Sequence, residues 1–212
     1  MLSLTLNDQP CVALTDELAS ILAANGEEVP ELNKLVWPVG ASCPAKAVFL
    51  VHSDAAQVLS GGDRTTGVAV KFSDDTLNAT QGTFTATMYQ VEHRPVHIAL
   101  WQKDIAALYA VTLVDARYFW QGKLTDKSFD VTTTTDRTAF YDETKNTGST
   151  WTWAGILTEL AGLLGITLDV SAVTGTTGDP TDYLLASDSV ALTIDRICTA
   201  LGMVFVAGVD GT

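Results

Sequence analysis

The residue types able to do chemistry are few in this chain, and their spacing does not assemble them. His93 and His97, in the run HRPVH, come nearest to a metal pair. On a helix they would share a face, but Pro95 between them predicts extended chain. Four strand residues span about 13 Å, too far for one ion held at about 2 Å from each nitrogen. They read as solvated turn histidines, and His52 stands alone. Asp54, Asp74 and Asp75 offer carboxylates for acid–base work or calcium, yet adjacent aspartates in a strand point to opposite faces. No DxDxDG loop accompanies them. Ser60-Gly61-Gly62-Asp63 lacks the lysine of a phosphate loop, and neither GxGxxG nor GxSxG occurs. Asp179-Pro180-Thr181-Asp182 reads as a loop. These patterns predict no catalytic residue, no cofactor site and no metal site, hence no enzyme.

Cys11, Cys43 and Cys198 are scattered and odd in number, with no CxxC pair. Zinc and a disulfide framework are poorly supported, and reduced, buried thiols are expected, as suits synthesis in a cytoplasm. The rings of Tyr118, Phe119, Trp120, Trp151 and Trp153 could stack a sugar or base. Core and subunit packing is the commoner fate of such residues.

The element with the clearest signature follows those tryptophans. Thr150 or Thr152 can cap a helix in which Trp153, Ile156, Leu157, Leu160, Leu163 and Leu164 form one apolar stripe. Gly165 is suited to close it, and Ile166, Leu168 and Val170 then alternate as a strand would. A second unit has the same plan. Ser187, Asp188 or Ser189 caps a helix through Leu201, with Ile194, Ile197, Cys198 and Leu201 inward, Gly202 at its end and a strand over 203–207. The two form a weak internal repeat.

The preceding part reads differently. LSLTL, a turn at 7–10 and CVAL form a short hairpin, and Thr15 caps a helix over 16–24 with Leu18, Ile21 and Leu22 in its stripe. Residues 26–45, with Pro30, Pro38, Gly40 and Pro44, read as a surface connection. AVFLV, GVAVKF, TFTATMYQV, VHIALW and LYAVTLVDARYFW are β-branched and aromatic strands in succession, which implies antiparallel pairing. SFDVTTTT (128–135) is an edge strand or linker. The expected fold is therefore α+β. A β-rich barrel or sandwich occupies 1–135, a polar linker 136–150, and a small helix–strand repeat domain 151–212. The closing VFVAGVDGT enters a hairpin turn without a return strand, which suggests continuation into a longer protein.

Composition narrows the partners. Of 212 residues, 12 are Lys or Arg and 25 Asp or Glu, for a net charge of −13. Dispersed cations among so many carboxylates do not make a nucleic-acid grip. An acidic surface suits a wall past which DNA slides, or simply solubility. No apolar run approaches the roughly 20 residues of a membrane span, and the N-terminus lacks the pattern of a secretory signal.

The segments YAVTLVDARYFWQGK, WTWAGILTELAGLLGITLD and DRICTALGMVFVAGVDG together resemble virion structural proteins of tailed bacteriophages, particularly the tail-hub or baseplate-hub group. The motif is Trp-x-x-Ile-Leu-x-x-Leu before a glycine and a strand, carried here by Trp153, Ile156, Leu157, Leu160 and Gly165. The resemblance covers residues 108–212. It implies a non-enzymatic subunit that joins copies of itself in a ring around the DNA exit path, contacts other virion proteins and binds no nucleic-acid sequence specifically. Trp120, Trp151, Trp153, Ile156, Leu157 and Leu160 are the expected packing and interface residues. A capsid-associated decoration or vertex protein and a carbohydrate-binding β module are the alternatives, and no membrane insertion is expected.

Overall fold

The computed structural model describes residues 2–6, 9–52, 67–74, 83–96, 108–125, 128–129, 152–173, 183–184 and 188–208. They fall into two compact units. The first comprises Met1–Pro38, Pro44–Ala116 and Gly208–Gly211; the second comprises Val39–Cys43, Arg117–Ala207 and Thr212. The fold class is α+β, as expected.

In the first unit, seven described strands form one antiparallel sheet, of which five curl as a half-barrel. They are β1 (Leu2–Leu6), β2 (Gln9–Pro10), β3 (Lys34–Val36), β4 (Lys46–His52), β5 (Val68–Asp74), β6 (Thr83–Pro95) and β7 (Leu108–Val114). Their spatial order is β2-β1-β5-β6-β7-β4-β3. The curl is set along β6. Its first half pairs with β5 and its second with β7, and the register shifts between Gln90 and Glu92. An extra residue at a bulge bends the strand and increases its twist.

Both faces of β4 are covered, which is why AVFLV is apolar without alternation. Ala47, Phe49 and Val51 join Val70, Ala86, Met88, Val111 and Leu113 in one core. Leu50 points the other way, into a second core with Leu22, Leu32, Val96, Leu108 and Ala110. Leu22 comes from α1 (Asp16–Ala24), whose N-terminal amide of Leu18 is accepted by the Thr15 hydroxyl. Asn33, in the left-handed conformation at φ 52°, ties the unit together. Its amide donates to the Val12 carbonyl at 2.7 Å and accepts from the Leu50 N–H at 2.9 Å.

Several expectations need correction here. The hairpin returns at Gln9–Pro10, inside the expected turn, and residues 11–14 form no strand. The connection over 26–45 contains a 3₁₀ turn at Val29–Glu31 and the strand β3, and it buries Leu32, Ala41 and Ala45. The apolar run at 108–120 is not one strand. It breaks after Val114, and residues 117–120 wind into α2 (Arg117–Trp120). Residues 97–101 of VHIALW lie outside the described residues.

The second unit contains α3 (Trp153–Leu164) and α4 (Val190–Ala200), with the short pairs β8 (Leu124–Thr125) to β11 (Asp188–Ser189) and β9 (Ser128–Phe129) to β10 (Tyr183–Leu184). The two long helices begin and end alike. Thr152 and Ser189 accept the N–H three residues on, from Gly155 and Leu192. Gly165 and Gly202 turn left-handed at φ 74° and 70°. The N–H of Ile166 then reaches the carbonyl of Ala161, and that of Met203 the carbonyl of Cys198. This six-to-one closure is the Schellman stop, and only a residue free of Cβ strain takes its turn readily.

The middle of the expected stripe on α3 is buried, with Ile156, Leu157 and Leu160 at most 1% exposed, joined by Ala161, while Trp153, Leu163 and Leu164 are half-buried. Each large side chain so buried contributes about 1.5–3 kcal/mol. On α4, Val190, Ile194 and Ile197 are buried likewise. The strands expected after each helix do not form. Residues 166–170 and 203–207 alternate in burial with the two-residue period of extended chain, but they belong to no sheet.

Candidate functional site

The expected chemical residues are not gathered. His93 lies exposed on β6 and stacks on Tyr109 with ring centroids 5.6 Å apart, so the chain there is extended, as Pro95 requires. His97, Asp54, Asp75, residues 60–63 and residues 179–182 lie outside the described residues. Among the described residues, no group of three or more His, Cys, Asp or Glu is placed to hold a metal ion. The thiols depart from expectation. Cys198 is buried and Cys11 half-buried, but Cys43 is exposed.

The structure does build a groove within the second unit. Its volume is about 760 Å³, and it runs along residues 166–170 and 203–206 over a floor that includes Trp120, Leu157 and Cys198. Trp120 is held edge-on to Phe205, with centroids 6.0 Å apart and planes at 85°. Two residues predicted for packing, Trp120 and Leu157, thus meet at this groove. Ile156 and Leu160 are fully buried on α3, Trp153 is half-buried, and Trp151 lies outside the described residues.

The chemistry of the groove is that of binding. Burial raises the thiol pKa of Cys198, and the negative charge of Asp195 raises it further, so the sulfur stays protonated and weakly nucleophilic. Asp169 points to solvent. The backbone N–H of Ser171 donates to its Oδ1 at 2.9 Å, and that bond, with one from the Ser171 hydroxyl, holds its carboxyl below the usual range. It therefore stays anionic at any physiological pH.

The extended segments have distinct surroundings. Along 203–206, Phe205 is buried while Val204 and Val206 are 67% and 68% exposed. The Phe205 carbonyl accepts the N–H of Gly40 at 2.9 Å. In extended chain, neighbouring residues direct their N–H and C=O to opposite edges. The groups of Val204 and Val206 therefore lie on the edge away from Gly40, where no hydrogen bond joins them to any described residue.

A polar clamp steadies this arrangement. Asp195 on α4 accepts the backbone N–H groups of Ala41 at 2.6 Å and Ser42 at 2.8 Å, and the Ser42 hydroxyl at 2.5 Å. Arg117, 1% exposed, donates to the Gly40 carbonyl at 2.9 Å, and Gln121 donates to the Ser42 carbonyl at 2.6 Å. A buried cation and a multiply bonded carboxylate are the charged groups burial tolerates. Sequence inspection passes over both residues. Asp195 sits one position from the inward Ile194, and its partners are more than 150 residues away.

No family model matches the chain, and no curated protein matches it in sequence.

Proposed function

We propose that the chain is a non-enzymatic structural subunit of a tailed-bacteriophage virion, belonging to the tail hub or an adjacent ring around the DNA exit path. One observation carries this reading. Each Schellman-closed helix of the second unit leads into a segment of alternating burial, ITLDV after one and the wholly apolar MVFVA after the other, with no sheet of its own. Such a segment is half of a β interaction, and edges left unpaired are templates for another chain. An assembly subunit requires such surfaces, whereas an enzyme requires convergent polar groups.

The finer architecture belongs to the same proposal. The two cap–helix–glycine–extended units are copies of one packing module, and their strands complete a sheet in the assembled particle. The net charge of −13 then gives a ring of subunits an acidic lumen that DNA traverses without adhering.

Electron microscopy of the particle that contains this chain tests the reading. Density for it in a ring on the tail axis is the expected result. Density on the capsid shell promotes the decoration alternative, and absence from any virion removes the proposal.

A further inference from the structure

The groove in the second unit fits one kind of occupant, and the geometry points to it: a single extended strand of another polypeptide, about five residues long, apolar at alternate positions and flanked by cations. The inference rests on the assembly reading only for the origin of that strand, a neighbouring subunit.

Three features converge on this occupant. First, consecutive residues of both extended segments line the groove, inward- and outward-pointing alike. A ligand lying on one face of a strand would touch alternate residues only. Contact with consecutive residues fits a groove that runs beside the backbone, and on this proposal main-chain amides lie within its reach. The N–H and C=O groups of Val204 and Val206 are bonded to no described residue there, and the same holds for Thr167 and Leu168. What satisfies a row of alternating donors and acceptors is another row at the same spacing, which is a β-strand.

Second, the size agrees. A five-residue strand rises about 17 Å, takes about 4.8 Å between its neighbours and about 10 Å between layers, or roughly 800 Å³ in all. The groove holds about 760 Å³. That is room for one strand.

Third, the charge is one-sided. Asp169 is the charged residue in the lining, and it stays ionised because its carboxylate accepts the bonds from Ser171. The chain as a whole carries −13. Opposite charges facing each other across a strand pair are favourable and like charges are not, so the occupant presents Lys or Arg opposite Asp169. Its alternate apolar side chains descend to Trp120, Leu157 and Phe205.

The test titrates the intact 212-residue chain into a fluorescein-labelled heptapeptide of sequence KVTVTVK, followed by anisotropy. Parallel titrations use the glutamate-flanked EVTVTVE and two forms of KVTVTVK, N-methylated on its valines or on its threonines. Expected are saturable binding of the lysine peptide below about 1 mM, at least about tenfold weaker binding of one N-methylated form, and protection of the Val204 and Val206 amides from hydrogen exchange. D169K is expected to reverse the preference toward the glutamate peptide. No saturation by the lysine peptide, or binding indifferent to both N-methylations, overturns the inference. V206P, which removes one exposed donor, is expected to weaken binding as well; should it unfold, the N-methylated peptides decide alone. Because the titration uses the isolated chain, a particle lacking the chain removes the virion reading and leaves this result standing.

Discussion

The carboxylate of Asp195 and the backbone N–H of Ala41 meet at 2.6 Å across 154 positions of sequence, and this bond fastens the Val39–Cys43 segment to helix α4. Ala41 is fully buried, so its N–H has no recourse to water if the carboxylate is removed. Leaving a buried donor unsatisfied costs about 1–3 kcal/mol per group. D195A is expected to lower stability by at least that much in urea denaturation, and D195N by less, since its amide oxygen still accepts. Equal stability of D195A and the parent would show that the clamp carries no weight.

Two glycines are predicted to respond differently to alanine. Gly165 has φ 74° with nothing within 4 Å of an added Cβ, so G165A meets only the left-handed strain of about 1 kcal/mol. At Gly40 the φ is 107°, and a Cβ would lie 3.2 Å from Oδ2 of Asp195. G40A should therefore lose clearly more stability than G165A, and the double variant G40A/D195A should lose less than the sum of the two single losses. Matching melting temperatures for the two single variants would count against the contact.

Truncating the α3 stripe tests its burial. Ile156 and Leu160 are both 0% exposed, and replacing either by alanine removes contacts and leaves a cavity, at about 2–5 kcal/mol. Thr158 is exposed on the same helix, so T158A should change stability by less than about 0.5 kcal/mol. Chemical denaturation monitored by circular dichroism separates these outcomes.

The thiols predict both a reactivity order and a pH dependence. Burial pushes Cys11 from 9.0 up to about 12, so the native state holds its proton where the unfolded chain releases it. The resulting stability is fully present below about pH 9 and is lost as pH rises toward 12, at up to about 1.4 kcal/mol per pH unit. C11A should flatten that alkaline decline in denaturant midpoints measured from pH 8 to 11. With iodoacetamide at pH 8, exposed Cys43 should be alkylated first, and Cys11 and Cys198 only on unfolding.

Much of the local structure was legible in the chain itself. Thr15 marked one helix start, and the pair Thr150/Thr152 and the triplet Ser187/Asp188/Ser189 bracketed the other two, because a capping side chain acts on amides three residues away. The structure selects Thr152 and Ser189. Gly165 and Gly202 marked the stops because a left-handed turn selects against Cβ. Ile156, Leu157 and Leu160 declared their burial through a 3.6-residue period, and alternation in TFTATM separated buried Ala86 and Met88 from exposed Thr85 and Thr87. These are short-range effects, and a window of a dozen residues contains their causes.

The tertiary structure decided what depends on distant partners. The apolar run at 108–120 is equally compatible with strand and helix, and it breaks after Val114, where β7 ends its pairing with β4 and β6. Residues 166–170 and 203–207 have the alternating burial of strands but join no ladder among the described residues, and a strand is defined by its ladder. The return strand at Gln9–Pro10 was likewise set by pairing with β1, against the turn propensity of those residues. The clamp of Asp195 and Arg117 on the Val39–Cys43 segment left no trace in local pattern. A charged residue on a helix, such as Asp195 beside Arg196, reads as solvated until the fold brings it buried N–H groups to satisfy.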